Sequence, residues 1–67
     1  MQTGTIVRLV RDRGFGFIRD DADAKEYFFH HSAIVEGYWA NVDQGDKCTF
    51  EIGMGPKGPR AEDIRLD

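Results

Sequence analysis

The sequence predicts an all-β fold: a closed five-stranded antiparallel Greek-key barrel with one short helical turn after the third strand. Three observations lead there. Five short segments rich in β-branched and aromatic residues are separated by polar or glycine- and proline-bearing turns. No segment carries the 3.6-residue apolar period of a long amphipathic helix, and no internal repeat is visible. The 67 residues suffice for one domain, residues 1–67, with one small core. An open sheet of that size would leave two edges unpaired, and closing it into a barrel removes them.

The first strand runs from Gly4 to Arg11. Its apolar residues Ile6, Val7, Leu9 and Val10 straddle Arg8 and do not alternate. Either both faces are partly covered or a bulge changes the phase near Arg8. The polar turn Arg11–Gly14 leads into a second strand, Phe15 to Asp20, and the two form a hairpin. Along Arg13-Gly14-Phe15-Gly16-Phe17-Ile18-Arg19, Gly14, Gly16 and Ile18 share one face, and Phe15, Phe17 and Arg19 share the other. The loop Asp20–Lys25 is acidic but lacks the glycine and distal glutamate of an EF-hand, so it reads as a solvated turn.

The third strand is Glu26 to His31, with Tyr27 and Phe29 on one face and Phe28 and His30 on the other. Ser32–Glu36 reads as a single helical turn with Ser32 as N-cap and Ile34 or Val35 anchoring it inward. A loop to Gly45 holds the one tryptophan, Trp39. Lys47 to Gly53 is the fourth strand, with Cys48, Phe50 and Ile52 facing in. Gly53–Pro59 is a glycine- and proline-rich loop with no following helix to supply a phosphate-binding dipole. Arg60 to Leu66 is the last strand, with Ala61 and Ile64 inward.

The second strand raises the question of function. Leaving Phe15 and Phe17 in water forgoes roughly 1.5–3 kcal/mol of burial each, which a small soluble protein seldom does without a ligand. Flat rings beside a cation suit a stacked base with its phosphate nearby, and the intervening glycines let a ligand approach the backbone. The stretch alone also fits a buried glycine-rich strand with its rings in the core. Net charge is −3, but it is uneven. Residues 1–19 carry Arg8, Arg11, Arg13 and Arg19 against Asp12, a balance of +3, and residues 20–67 carry five cations against eleven acids, a balance of −6. A locally basic face on an acidic body still suits a polyanion.

Other chemistries find little support. Cys48 reads as a small buried hydrophobe without a general-base partner. Adjacent strand residues point to opposite faces, so His30 and His31 are not expected to share a metal ion. No nucleophile–base pair, nucleotide-hydrolysis motif or cofactor signature appears, so the expectation is a binding protein, not an enzyme, with no cofactor and no metal. A single cysteine and the lack of an export signal or long apolar run point to the cytosol and away from membranes.

Arg13-Gly14-Phe15-Gly16-Phe17-Ile18 and Tyr27-Phe28-Phe29-His30-His31-Ser32 resemble the two ribonucleoprotein motifs of the bacterial cold-shock domain family. Gly4, Ser32-Ala33-Ile34, Gly45 and Gly58-Pro59 fall where that family has them, so the resemblance covers nearly the whole chain. It implies an OB-type barrel that binds single-stranded RNA or DNA with low sequence preference. It further implies that Phe15, Phe17 and Phe28 stack bases, that His30 stacks or hydrogen-bonds one, and that Arg13 meets phosphate. Trp39 would match the family's loop aromatic, and Lys57, with Arg60 beside it, a loop position that touches ligand. The chain departs from the family pattern at Val7-Arg8, where a Lys-Trp pair is usual, and at His31, where Phe is common. Arg8 can stack through its guanidinium plane and also meet phosphate. If each lost ring is worth ~1–3 kcal/mol, two such losses would weaken binding by about thirty- to twenty-five-thousand-fold.

Two functions are therefore carried forward. One is a single-stranded nucleic-acid binder acting as an RNA chaperone or regulator of transcription or translation. The other is a barrel of the same kind with weakened binding that serves as a protein-interaction module. The retained rings favour the first. A monomer is expected, and a small barrel with flexible loops also permits a domain-swapped dimer.

Overall fold

The computed structural model describes residues 1–67. Five long strands and one three-residue strand follow in order: β1 (Gln2–Val10), β2 (Phe15–Asp20), β3 (Glu26–His30), β4 (Ile34–Glu36), β5 (Lys47–Gly55) and β6 (Gly58–Leu66). The predicted fourth and fifth strands are β5 and β6. β1, β2 and β3 form an antiparallel meander, and β5 returns to the free side of β1 before turning back as β6. That return beside the first strand is the Greek key. The barrel closes where β6 meets β3, and this contact is parallel. β4 adds a short parallel pairing on β6, Ile34 opposite Ile64.

Two bulges set which residues reach the interior. On β1 the register steps between Ile6 and Arg8, so Val7 is the extra residue. Ile6 points in before the step and Leu9 packs against the core after it, while Arg8 is turned outward. The broken alternation of the first strand is this phase change. On β6 the register steps opposite Thr49–Glu51, and Asp63 adopts a left-handed φ of 50°. An extra residue there explains why Ala61 and Ile64, three apart, both face inward as expected.

The core comprises Ile6, Ile18, Phe29, Val42, Cys48, Phe50, Ala61 and Ile64, each essentially buried. Gly16 is buried on the same side of β2 as Ile18, whereas Gly14, expected on that face, precedes the strand with a left-handed φ of 77°, and a Cβ there would strike the His31 ring. At Gly16 an added Cβ would strike the Arg8 carbonyl and sit 2.9 Å from the Phe29 ring, so the strand can pack there only with glycine. Asp20 is the buried carboxylate, accepting from the Gln2 amide at 3.3 Å and the Ala22 N–H at 2.9 Å. Arg11 pins the long loop to the barrel. Its guanidinium donates to the Trp39 and Val42 carbonyls and pairs with Asp43 at 3.0 Å. That anchoring carries Val42 into the core, which the sequence did not indicate.

Some expectations are corrected. The turn after β3 is a single 3₁₀ turn, His31–Ala33, capped by the His30 side chain, not a turn over Ser32–Glu36 capped by Ser32. Residues Ile34–Glu36 are extended instead because β6 offers them a pairing partner. Val35 is exposed, so only Ile34 packs inward. Ile52 is 45% exposed although it follows the phase of Cys48 and Phe50. The last β1–β5 pair is Gln2 opposite Phe50, so Ile52 lies past the end of its neighbour strand.

Cys48 is buried, with its thiol 3.7 Å from the Gly4 carbonyl. Burial, helped by the carboxylates of Asp21 and Asp67, pushes the thiol from its ordinary 9.0 up to about 11. The folded chain thus holds this proton more tightly than the unfolded chain. The associated stability is fully present below pH 9.0 and lost as pH rises towards about 11. The stability difference between wild type and Cys48→Ala is expected to narrow over that window in urea titrations. A constant difference would show that the thiolate forms freely in the folded state.

Candidate nucleic-acid interface

β2 and β3 build an aromatic face by register. Phe17 stands opposite Phe28, and Phe15 opposite His30. Directly opposed residues share a face, so the three phenylalanine rings meet. Phe15 and Phe28 have centroids 5.4 Å apart, Phe17 and Phe28 6.1 Å, and Phe15 and Phe17 6.3 Å. Phe28 is 38% exposed, and Phe15 and Phe17 are half-buried against it and each other. The rings therefore hold one another in place and still show faces to solvent.

The β1 bulge delivers Arg8 to this same face. Arg8 pairs with Phe17, and its guanidinium carbon lies 6.0 Å from that ring's centroid. At that range the cation is drawn to the ring quadrupole. Without the extra residue at Val7 the strand would present a different side chain here. Arg13 sits exposed on the 3₁₀ turn Arg11–Arg13 that leads into Phe15. Arg19 continues the alternation of Phe15 and Phe17 and stands opposite Glu26. The alternation already placed Arg19 on this face, but it was not counted as a site residue.

His30 and His31 are closer than strand geometry predicts. His30 ends β3, and its Nδ1 accepts the Ser32 N–H at 3.2 Å and lies 2.8 Å from the Ser32 hydroxyl. His31 begins the 3₁₀ turn, which swings its ring to 4.4 Å from that of His30 at 36°. The two imidazoles are therefore near neighbours and not on opposite faces. No group of three or more His, Cys, Asp or Glu side chains is gathered as a metal-binding set. His31 lies 6.0 Å from Trp39, so His30, His31 and Trp39 extend the aromatic face toward the long loop.

Trp39 is half-buried and meets Phe29 edge to face at 6.0 Å, sealing one end of the barrel while lying beside His31. Its neighbour Tyr38 is 74% exposed. Tyr38 is thus the loop's solvent-facing ring. No alternation rule operates in an irregular loop, so the sequence did not distinguish the two.

Lys57 and Arg60 occupy the other border. Arg60 pairs with Phe28 where the barrel closes. Two hollows flank this contact. One, of about 400 Å³, is lined by Phe28, Lys57, Arg60 and the turn Gly55–Pro59. The second, of about 280 Å³, lies between Phe28, His30, Ser32 and Val35 on one side and Arg60 with the residues after it on the other. The sequence-predicted residues thus fall into one continuous arrangement. Arg8, Phe15, Phe17, Phe28 and His30 form its centre, Lys57 and Arg60 one edge, and His31 and Trp39 the other, with Arg13 at the turn before Phe15. Flat faces, flanking cations and hollows between them can take up bases by stacking and phosphates by charge.

Residues 2–66 match a family model described as the 'Cold-shock' DNA-binding domain. The chain is 40% identical over 65 residues to the cold shock-like protein CspA of Stigmatella aurantiaca, covering 97% of this chain and 96% of that protein. It is 39% identical to the protein of the same name from Shewanella violacea, over 92% and 89% of the two chains. It is 38% identical to a cold shock protein of Arthrobacter globiformis, over 98% of each. With its barrel, its ring face and these relatives agreeing along almost the full length, the chain belongs to the cold-shock domain family of nucleic-acid-binding domains.

Proposed function

We propose that residues 1–67 act as one cold-shock domain that binds single-stranded RNA or DNA with low sequence preference and performs no chemistry on it. Bases stack on Phe15, Phe17 and Phe28, with His30, His31 and the loop rings extending the platform. Arg8, Arg13, Lys57 and Arg60 meet phosphates. The observation that carries this reading is the cluster of three mutually supporting rings, 5.4 to 6.3 Å apart, open to solvent and bordered by Arg8 and Arg60. A protein-only surface gains little from holding three rings outward among cations.

Such a domain favours unpaired strands by differential affinity, because rings that stack on free bases gain nothing from bases already stacked in a duplex. That makes it an RNA chaperone or a regulator of transcription or translation, working as a cytosolic monomer. The acidic remainder of the surface keeps the electrostatic share of affinity modest. No helix is long and apolar enough to cross a membrane.

The test is a titration with oligo-dT or oligo-U, read by Trp39 emission and by a fluorescent label on the strand, repeated across salt. Quenching of Trp39 with micromolar or tighter affinity and a shallow negative salt slope is expected for stacking-dominated binding. A steep slope transfers credit from the rings to the arginines. Silence of both signals rejects the reading in favour of a protein-interaction module.

A further inference from the structure

Glu62 lies on β6 two residues beyond Arg60, on the same outer face, and its Oε2 accepts the Arg60 Nε–H at 2.9 Å. Both side chains lean across β5 onto glycines. At Gly55 an added Cβ would sit 3.1 Å from the Arg60 Cδ and 3.3 Å from Nε. At Gly53 an added Cβ would collide with the Glu62 carboxylate. The two glycines are thus seats, and the guanidinium is laid over the hairpin at the edge of the 400 Å³ hollow that Lys57 and Phe28 also line. The hydrogen bond uses Nε and leaves both terminal nitrogens of Arg60 for a ligand.

The Arg60 and Glu62 side chains are 47% and 39% exposed, and a pair so exposed adds little to stability. A carboxylate beside a phosphate site should by charge alone weaken binding. We infer that Glu62 is a positioning residue: it holds Arg60 over Gly55 so that the guanidinium meets the phosphate of a nucleotide whose base lies against Phe28. This rests on the binding function proposed above. The geometry offsets the charge because an oriented guanidinium makes directed, charge-assisted bonds to phosphate, whereas a freely rotating one must lose rotamer freedom on binding.

The experiment compares oligo-dT affinity for wild type, Glu62→Ala, Glu62→Gln and Gly55→Ala, and for Glu62→Ala in an Arg60→Ala background. Positioning predicts that Glu62→Ala weakens binding about fivefold. Glu62→Gln, which keeps an acceptor and drops the charge, is expected to bind as well as wild type or better. Gly55→Ala, whose methyl would press on the Arg60 Cδ and Nε at 3.1 and 3.3 Å and nudge the guanidinium by a few tenths of an ångström, is expected to weaken binding less than Glu62→Ala does, with an unchanged melting temperature. In the Arg60→Ala background, Glu62→Ala is expected to have no weakening effect. If Glu62→Ala and Glu62→Gln both tighten binding equally, Glu62 acts as a charge only and the inference falls. If wild type itself binds no strand, the underlying function falls instead, and the two failures are told apart by that one control.

Discussion

Phe28→Ala is expected to lower single-strand affinity by about five- to a hundred-and-fifty-fold, the loss of one stacked base at ~1–3 kcal/mol. Its melting temperature should stay within about 8 °C of wild type. Phe28 stands at the centre of the site. It touches Phe15 and Phe17, pairs with Arg60, and forms a wall of both hollows. Its ring is already 38% exposed, so the fold has limited burial to lose. Truncation removes the edge contacts that steady the other two rings, and the affinity loss should therefore exceed that of Phe15→Ala or Phe17→Ala. Fluorescence titration and thermal circular dichroism on the same samples check this. A collapsed melting temperature with unchanged affinity would place Phe28 in the core and not at the interface.

Phe29→Ala, one residue along, is expected to do the reverse. Phe29 is fully buried between Gly16 and Trp39. Emptying such a site costs about 3–5 kcal/mol. A chain of this size has only ~3–10 kcal/mol of total stability, so the urea midpoint should fall by about a third or more, and at the lower end of that range part of the population should be unfolded at 37 °C. Phe29→Leu, which keeps most of the volume, should restore most of the midpoint. At saturating oligonucleotide the folded fraction should recover by mass action, with the ring face intact. A Phe29→Ala midpoint equal to wild type would mean that the core does not depend on this ring.

The contrast between these neighbours shows what was legible in the chain. Strand alternation has a period of two, and it separated Phe15 and Phe17 from Ile18, and Phe28 from Phe29, while the choice of which face looks outward came from the cost of exposed rings and the family resemblance. It also flagged its own failure in the first strand, where four apolar residues around Arg8 fitted either two partly covered faces or a bulge, and the register step at Val7 decides for the bulge. Features that depend on distant partners were less accessible. Whether Ile34–Glu36 curls or extends is decided by β6, about thirty residues away. Ile52 follows the right phase yet lies past the end of β1, and strand ends are set by tertiary pairing. His31 escapes alternation because the strand stops at His30 and the 3₁₀ turn redirects it. Tyr38 and Trp39 differ in burial because the Trp39 ring packs on Phe29 of β3 while Tyr38 stays in solvent, a tertiary contact that an irregular loop does not announce.

The barrel is fastened unevenly. β5 and β6 are joined by seven paired positions, while β3 and β6 meet at the single pair Phe28 and Arg60. The band of strands is therefore closed by a narrow buckle, and the buckle is the first place where it should unclasp. A strand lying over Phe28 with a phosphate on Arg60 would span that buckle from both sides. Cargo would then double as fastener: a nucleotide bound at this position would tie the last strand to the third, at the seam that a single backbone pair holds shut.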